Sequence, residues 1–487
     1  MTAADRITPD RLEQILQEFY QICEIPHPSA GEQALSSYLR DRLLEKTRHV
    51  RRDRSGSLLA TLPAKNADPD APTVMLQAHM DMVVAGDVDA SRARVVPHLE
   101  NNWLCSDGHT SLGADNGIGV AVILHLLEQE DLVHGPLQIL FTVREEQGLK
   151  GARSLPVEFF KKARYLINLD GFHADTALTG CKSGLRETLW RRVSRQPVSP
   201  DMVAYRLEVK GFKGGHSGED IGSGHCNAIC MLAALLFDLQ ERCAGIAVSC
   251  FHGGTGFNVI PACCTADVVV KKERAAAFVV ALKEAFRLRC GAYRDTDGEG
   301  QLDVTYIPCP ADCWAHATQR NILMALIGLS DGVVERDGDA VSASCNLGRV
   351  YEEGEKFYLE DMLRCDTAQQ EQAILAQHAA VASAGGLHRH VGGYHSWHPS
   401  GRNLLAETAA HIYQEQNDAP LHLKTAQVGV EPAYFQEKAP QLEMICLGAD
   451  IENAHSVTER ANCKSILRLS RLLEGILYSI AKEKSEK

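Results

Sequence analysis

Carboxylate and imidazole side chains recur directly beside apolar runs of the sequence. His79 and Asp81 stand two residues apart at the end of VMLQAHMDMV, and Asp115 lies in the glycine-rich SLGADNGIG that precedes an apolar helical pattern. A metal-binding histidine commonly needs a carboxylate to fix its tautomer, and the His-x-Asp spacing could supply it. Each residue taken alone also has a plainer interpretation: a surface or core histidine for His79, and a helix N-cap for Asp115.

Further donors follow strand-like runs. LQILFTV leads into Glu145 and Glu146, ARYLINLDGF carries Asp170 near its end, and ICLGADIENAHSV places His455 in a loop. Because successive strand residues point to opposite sides, one glutamate could bind a metal ion while the other faces a substrate. A solvated acidic loop, a turn aspartate and a surface histidine are the plainer alternatives.

The joint position of five donors favours a metal site. We expect all five at the same edge of one sheet: His79, Asp115, Glu146, Asp170 and His455. Oxygen and nitrogen donors without cysteine suit catalytic Zn²⁺, Mn²⁺ or Co²⁺ better than a closed structural zinc site. Two ions bridged by one carboxylate would use all five donors.

The elements that must position these residues alternate between strand-like and helical patterns. A first helix is expected after Thr8 as its N-cap, with Leu12, Ile15 and Phe19 on its apolar stripe. Later strands are expected at 58–62, 74–77, 137–143, 165–169 and 444–447, and helices at 117–127 and 466–481. This alternation predicts an α/β fold, with a mostly parallel sheet covered by helices and ligands at the carboxyl ends of its strands.

The middle of the chain has a different pattern. Strand-like segments at 205–209, 247–251 and 266–270 are interleaved with helices such as 228–239. We therefore expect an inserted α+β domain. The predicted division is a catalytic domain in two parts, 1–186 and 395–487, with the inserted domain at 187–394.

Length and composition favour a globular, cytoplasmic protein. The 487 residues suffice for two or three domains, and 45% hydrophobic with 23% charged residues is ordinary for folded proteins. The net charge of −13 and the lack of a dense basic run argue against nucleic acid and anionic membranes as partners. We find neither a secretory signal nor an apolar run of about 18 residues. The 16 cysteines form no C-x-x-C pair, which fits free thiols in a reducing compartment.

Several short motifs together resemble the M20 family of metallopeptidases. AHMD, GADNG, the Glu145-Glu146 pair, NLD and AHS occur in the family's order, and the resemblance runs essentially end to end. CEIPHPS, LGADNGIG, VHGPL, KGGHSG and NVIP look like the aminoacyl-histidine (cytosol nonspecific) dipeptidase group of that family. The resemblance implies a zinc-exopeptidase-like catalytic domain, a lid domain that mediates homodimerisation, and hydrolysis of small peptides, including Xaa-His dipeptides.

The resemblance also divides the five donors between two zinc ions, with Mn²⁺ or Co²⁺ as alternatives. It implies that His79 and Asp170 hold one ion and that Glu146 and His455 hold the other. Asp115 would bridge the two ions.

Catalytic and substrate-binding roles follow from the same resemblance. Asp81 would orient His79, and Glu145 would be the general base for a water held between the ions. In the lid, His216 of KGGHSG would contact the substrate, often in the neighbouring subunit's site, and stabilise the oxyanion. The resemblance further implies two substrate contacts, Asn258 of GFNVIP and Arg364 of DMLRCD. A glycine-rich turn and a strand-end ion pair are the plainer interpretations of His216 and Arg364.

One loop departs from the dipeptidase pattern. The family pattern is His-x-Gly-x-Glu-Cys, whereas this chain has QVGVEP, with Gln427 and Pro432 at the altered positions. Glu431 is retained and is expected to bind substrate. This departure leaves the side-chain preference open.

Two other functions compete with the dipeptidase. The metal ligands alone do not separate a dipeptidase from a tripeptidase or an N-acyl-amino-acid deacylase of the same family. An inactive relative that acts as a binding protein is the alternative of another class. The five ligands and Glu145 are all present, which argues against loss of activity.

Overall fold

The computed structural model describes residues 9–242, 245–298, 300–398 and 401–483. Thr8, the expected N-cap, lies outside the described residues. The described residues form eleven α-helices, numbered in chain order: α1 (Pro9–Cys23), α2 (Gln33–Lys46), α3 (Ala114–Glu128), α4 (Lys150–Ser154), α5 (Ala228–Arg242), α6 (Ala275–Cys290), α7 (His316–Gly328), α8 (Ala368–Gly385), α9 (Leu404–Asn417), α10 (Pro432–Lys438) and α11 (Cys463–Ala481).

The strands of the same residues are also numbered in chain order. They are β1 (Val50–Arg52), β2 (Leu58–Leu62), β3 (Val74–His79), β4 (Pro97–Glu100), β5 (Trp103–Ser106), β6 (Leu137–Thr142), β7 (Tyr165–Gly171), β8 (Thr176–Cys181), β9 (Gly184–Arg192), β10 (Arg195–Pro197), β11 (Met202–Lys210), β12 (Gly215–His216), β13 (Ile246–Gly253), β14 (Val259–Ile260), β15 (Cys264–Lys271), β16 (Gln301–Ile307), β17 (Asp312–Trp314), β18 (Gly332–Asp337), β19 (Ala340–Glu353), β20 (Lys356–Cys365), β21 (His388–Tyr394), β22 (His422–Ala426), β23 (Glu443–Gly448), β24 (Ile451–Glu452) and β25 (Arg460–Asn462).

The chain divides into two compact units. The first unit combines Met1–Cys181 with Trp397–Lys487, and the second unit is Lys182–Ser396. The domain limits expected from the sequence, with an inserted part at 187–394, stay a prediction.

The first unit is built on an eight-stranded sheet in the order β1-β2-β6-β3-β7-β23-β8-β22. Its centre is parallel, because β3 pairs in parallel with β6 and β7, and β7 pairs in parallel with β23. Every residue of β3 and β6 is buried, as expected for strands covered on both faces. The prediction of an α/β fold is confirmed.

Helix α3 lies in the core of the first unit. All of its residues from Ala114 to Leu127 are buried, which is typical of a helix that is apolar on every side. It packs against α1, α11, β3 and β7. The residues at its N-terminus are therefore held firmly relative to the central strands.

The second unit contains a nine-stranded antiparallel sheet. Eight strands follow the order β16-β11-β15-β13-β19-β20-β9-β21, and β18 pairs with β19. The helices α5, α6, α7 and α8 belong to the same unit, and α5 contacts β11, β13, β15 and β19. This is an α+β arrangement. Among the described residues of the whole chain, no helix has the length and apolarity needed to cross a membrane.

Candidate metal centre

Neighbouring strands of the first unit deliver donor side chains to one edge of the sheet. His79 is the last residue of β3, Asp170 is the penultimate residue of β7, and Glu146 follows β6 by four residues. Because these three strands are adjacent and parallel, their carboxyl ends meet. Asp115 near the start of α3 and His455 in the loop between β24 and β25 reach the same place.

Asp115 lies at the centre of the donor set. Its Oδ1 is 3.0 Å from Nε2 of His79, and its Oδ2 is 3.1 Å from Nε2 of His455. His79 Nε2 is also 3.3 Å from Oδ1 of Asp170, and His455 Nε2 is 2.8 Å from Oε1 of Glu146. The five donors thus form two groups of three that share Asp115, with the ligand atoms of each group within 4.8 Å of one another.

The local backbone shows that Asp115 does not act as a helix cap. The N-cap of α3 is Gly113, which has a left-handed φ of 66°. Asp115 and Asn116 have non-helical backbone angles, and the Asp115 carboxylate faces the two histidines. The capping interpretation is therefore wrong.

The carboxylates of the centre are paired with histidines. In the described part of the chain, the ion pairs of Asp115, Glu146 and Asp170 are all with His79 and His455 and none is with lysine or arginine. Burial raises the pKa of Asp170 to about 8, and burial also raises the pKa of Glu146. Divalent cations bound here would displace these protons to solvent and pair with the carboxylates.

The pKa values of His79 and His455 are raised, whereas burial alone lowers the pKa of a histidine. Burial lowers the pKa of His79, but the carboxylates of Asp170 and Asp115 outweigh burial and hold it well above its usual range. Hydrogen bonds with Asp115 and Glu146 raise the pKa of His455 to about 10. Only 1% of the His79 side chain is exposed, against 47% for His455, so the centre opens to solvent on the His455 side.

The Glu145-Glu146 turn is held by two carboxylates that accept its backbone N–H groups. The N–H of Glu145 donates to Asp81 Oδ1 at 2.9 Å, and that of Glu146 donates to Asp81 Oδ2 at 3.2 Å. The N–H of Arg144, whose φ is +55°, donates to Glu32 at 2.9 Å. A left-handed φ is costly for a residue other than glycine, so these bonds keep the turn in its unusual conformation.

His79 is oriented mainly by a backbone carbonyl. Its Nδ1 donates to the carbonyl oxygen of Asp81 at 2.9 Å, whereas Oδ1 of Asp81 is 3.7 Å away. The Asp81 carboxylate instead accepts from Ser29 Oγ at 2.8 Å and from the Glu145-Glu146 turn. With Nδ1 protonated, Nε2 is free to bind a cation.

The pKa of Glu145 is raised by burial, like that of Glu146. Burial raises its pKa well above the usual range, although the charge of His79 opposes the shift. The nearby carboxylates of Asp170 and Glu146 add to the increase. A carboxylate with a raised pKa accepts a proton more readily near neutral pH, as a general base must.

Glu431 does not line the open side of the centre, contrary to the expected role in substrate binding. It is fully buried, and its Oε2 accepts from Gln77 Nε2 at 2.5 Å and from Thr142 Oγ1 at 2.8 Å. Gln77 in turn accepts from Asn168 Nδ2 at 2.6 Å. These contacts connect β3, β6 and β7 close to His79 and Asp170, since Gln77 and Asn168 each lie two residues before these donors. Glu431 therefore helps to fix the positions of the strand ends. Pro432 is also buried, as the first residue of α10.

The second unit brings its expected substrate contacts together. His216 of β12 pairs with Val259 of β14, and the N–H of Ser217 donates to the Asn258 carbonyl at 2.9 Å. The side chains of His216 and Arg364 both lie close to Gly218. A Cβ atom added at this glycine would be 3.1 Å from the His216 imidazole and 3.2 Å from the Arg364 guanidinium. The substrate roles of His216, Asn258 and Arg364 stay predictions.

A second group of possible metal ligands in the same unit is better explained as a charge network. Cys345, Asp361 and His378 are buried, with ligand atoms within 4.8 Å of one another. His378 Nε2 accepts the N–H of Ser330 at 3.0 Å, while Nδ1 contacts the Glu187 carboxylate. Because Nε2 accepts a backbone N–H and Nδ1 faces a carboxylate, neither nitrogen is free for a metal ion.

Some residues that build the centre were not identified from the sequence. Ser29 donates to the Asp81 carboxylate, Glu32 accepts the N–H of Arg144, and Glu459 accepts two N–H groups at the start of α3. Ser29 lies in the CEIPHPS motif, whereas the sequence offers no signal for Glu32. The only signal for Glu459 is that it lies four residues after His455.

Comparisons with known proteins agree with this geometry. Residues 57–202, which include four of the five donors, match the family model described as Peptidase family M28. Residues 207–289 match the M20_dimer model, a peptidase dimerisation domain. The chain is a metallopeptidase that resembles the M20 family. The resemblance to this family that the short motifs predict is confirmed.

Relatives that match over 99% of the chain support this resemblance. The cytosol non-specific dipeptidase of Escherichia coli (strain K12) is 28% identical over 495 residues, covering 99% of each chain. The crystal structure of aminoacylhistidine dipeptidase from Vibrio alginolyticus matches with a TM-score of 0.86 and 26% identity, again over 99% of each chain. A tripeptidase from Staphylococcus aureus shares the fold, with a TM-score of 0.57 and 15% identity over 97% of this chain and 99% of its own.

Proposed function

We propose that this protein is a dipeptidase that hydrolyses dipeptides, including Xaa-His dipeptides, with two divalent metal ions, Zn²⁺ in the native enzyme. The observation that carries the proposal is the position of Asp115, whose two carboxylate oxygens face different histidines at 3.0 and 3.1 Å. A carboxylate shared in this way suits a dinuclear site better than a single ion. Two relatives that match 99% of the chain are named as dipeptidases.

The donor set fits the two ions. His79 and Asp170 would hold one ion, Glu146 and His455 would hold the other, and Asp115 would bridge them. Imidazole and carboxylate without thiolate suit Zn²⁺, Mn²⁺ and Co²⁺. When bound, such ions supply Lewis acidity to the scissile carbonyl and lower the pKa of water.

We assign the proton transfers of peptide hydrolysis to Glu145. Its carboxylate would take a proton from the attacking water and later give it to the departing amine. The carboxylate of Asp81 holds the Glu145 backbone through the hydrogen bond at 2.9 Å, so the base is positioned by a residue that is itself 1% exposed. A fixed base reduces the reorganisation needed in the transition state.

Substrate binding is assigned to residues of the second unit. His216 would stabilise the oxyanion, Asn258 would contact the peptide, and Arg364 would hold the substrate's free carboxylate with its planar guanidinium. The support is the family resemblance of KGGHSG, GFNVIP and DMLRCD together with the closeness of His216 and Arg364 to Gly218.

The assembly proposed is a homodimer in the cytoplasm. The match of 207–289 to a dimerisation domain supports self-association. All fifteen cysteines within the described residues are free thiols, which fits a reducing compartment. Light scattering after size-exclusion chromatography would test the dimer directly.

A substrate panel on metal-analysed enzyme tests the proposal. The panel contains Xaa-His and other dipeptides, tripeptides and N-acetyl amino acids, and the same sample is assayed for bound metal. We expect two ions per chain and the highest kcat/KM for dipeptides. Glu145→Gln enzyme purified in parallel controls for contaminating host peptidases.

The outcomes separate the candidates. A preference for tripeptides or N-acetyl amino acids would show that the protein is another M20-type amidohydrolase and not a dipeptidase. Enzyme that binds no metal and hydrolyses none of the panel would indicate a binding protein. One ion per chain in a fully active enzyme would contradict the dinuclear assignment.

A further inference from the structure

Glu459 is a buried glutamate without a role in the proton transfers or the proposed metal ligation. It is 2% exposed and lies just before β25, four residues after His455. Its Oε2 accepts the N–H of Gly113 at 2.9 Å, and its Oε1 accepts the N–H of Asp115 at 3.1 Å. The two oxygens of one carboxylate therefore bind two amides of the turn that carries the central donor.

This turn needs an external acceptor. The first amides of a helix have no partner within the helix, and a buried one must bond elsewhere. The α3 N-cap is a glycine, which has no side chain to accept these bonds, and the backbone at Asp115 and Asn116 is not helical. Glu459 thus supplies acceptors that the local sequence does not provide.

The position of Asp115 depends on this backbone. Its two carboxylate oxygens face His79 and His455 at nearly equal distances, 3.0 and 3.1 Å. A shift or rotation of the turn would move one oxygen away from its group of donors. The segment from His455 to Glu459 contributes one candidate ligand and also holds the backbone of another.

We propose that Glu459 is a positioning residue that fixes the Asp115 carboxylate between the two metal sites and thereby sets metal affinity. The inference rests on the proposed bridging role of Asp115. Residues that orient metal ligands typically contribute about 10- to 100-fold to metal affinity or activity.

The test substitutes Glu459 and a matched control. In Glu459→Gln the side-chain NH₂ faces one of the two backbone N–H groups, so one bond is replaced by a repulsive contact. Glu443→Gln is the control, because Glu443 also accepts two helix-start amides, those of Leu404 and Leu405, at the amino end of β23. Metal affinity of each holoenzyme is measured by competition with a chromogenic chelator, followed by kcat and KM.

We expect about 10- to 100-fold weaker metal binding for Glu459→Gln and less than a twofold change for Glu443→Gln. Excess metal should restore much of the lost kcat with little change in KM, which general destabilisation would not produce. Wild-type metal affinity in folded Glu459→Gln would overturn the proposal. If that variant does not fold, Glu459→Asp withdraws the carboxylate by one methylene, and unchanged affinity in it would equally overturn the proposal.

Asp115→Ala distinguishes this inference from the proposed function. If Asp115→Ala still binds two ions tightly, the bridging role fails, and the inference fails with it. If Asp115→Ala loses the ions while Glu459→Gln retains wild-type affinity, only the positioning role fails.

Discussion

Asp81→Asn tests what the Asp81 carboxylate holds in place. In the structure it accepts the N–H groups of Glu145 at 2.9 Å and Glu146 at 3.2 Å, and the Ser29 hydroxyl at 2.8 Å. Asparagine keeps one carbonyl oxygen, so its NH₂ group must face a donor at the other position. At least one bond to the turn is lost, while the contact of His79 with the Asp81 carbonyl is retained.

The expected magnitudes follow from these contacts. A buried N–H without an acceptor costs about 1–3 kcal/mol, and the remaining bonds weaken because the acceptor is no longer charged. We expect the free energy of unfolding to fall by about 2–4 kcal/mol. The melting temperature should fall by roughly 4–16 °C, at about 2–4 °C per kcal/mol for a unit of this size. Displacement of Glu145 should lower kcat by about 10- to 100-fold.

The assay measures kcat, KM, bound metal and melting temperature on the same samples. Ser29→Ala is the matched control, because it removes one hydrogen bond to the same carboxylate and should cost only about 0.5–1.5 kcal/mol. If Asp81→Asn weakens metal binding but keeps wild-type kcat at full metal occupancy, the carboxylate orients His79 and the reasoning from the turn is refuted.

Three further predictions address other parts of the molecule. Glu145→Gln should retain both ions and lose about 10²- to 10⁴-fold in kcat, and near-wild-type turnover would remove it as the base. Glu431→Gln should lower the melting temperature and leave KM within about threefold, because its buried side chain accepts hydrogen bonds from Gln77 and Thr142. A tenfold rise in KM at unchanged stability would instead show that Glu431 contacts the substrate. Burial raises the pKa of Asp361 to about 7, so the folded chain keeps a proton that the unfolded chain releases above about pH 4. This group's contribution to the free energy of unfolding should therefore fall by up to about 4 kcal/mol as the pH rises from 4 to 7. Denaturant titrations should show a weaker pH dependence for Asp361→Asn, and an unchanged dependence would contradict the assignment.

The central strands and the donors at their ends could be predicted because their signals are local. β3, β6 and β7 are predominantly apolar and almost wholly buried, since strands covered on both faces need no polar alternation. In a parallel sheet the carboxyl ends coincide, so His79 and Asp170 could be placed near one another from their positions after such runs.

The sequence by itself thus determined the α/β class, the donor types and the order in which they reach the sheet edge. Only the tertiary structure decided that Asp81 holds the Glu145-Glu146 turn, that Glu431 is buried below the metal centre, and that Glu459 binds the amides of a turn more than 340 residues earlier. The contacts of Asp81 and Glu459 join side chains to backbone N–H groups of distant segments. Because every residue except proline carries the same N–H group, the partner of a carboxylate leaves no mark in the sequence, and only the packing of the loops selects it.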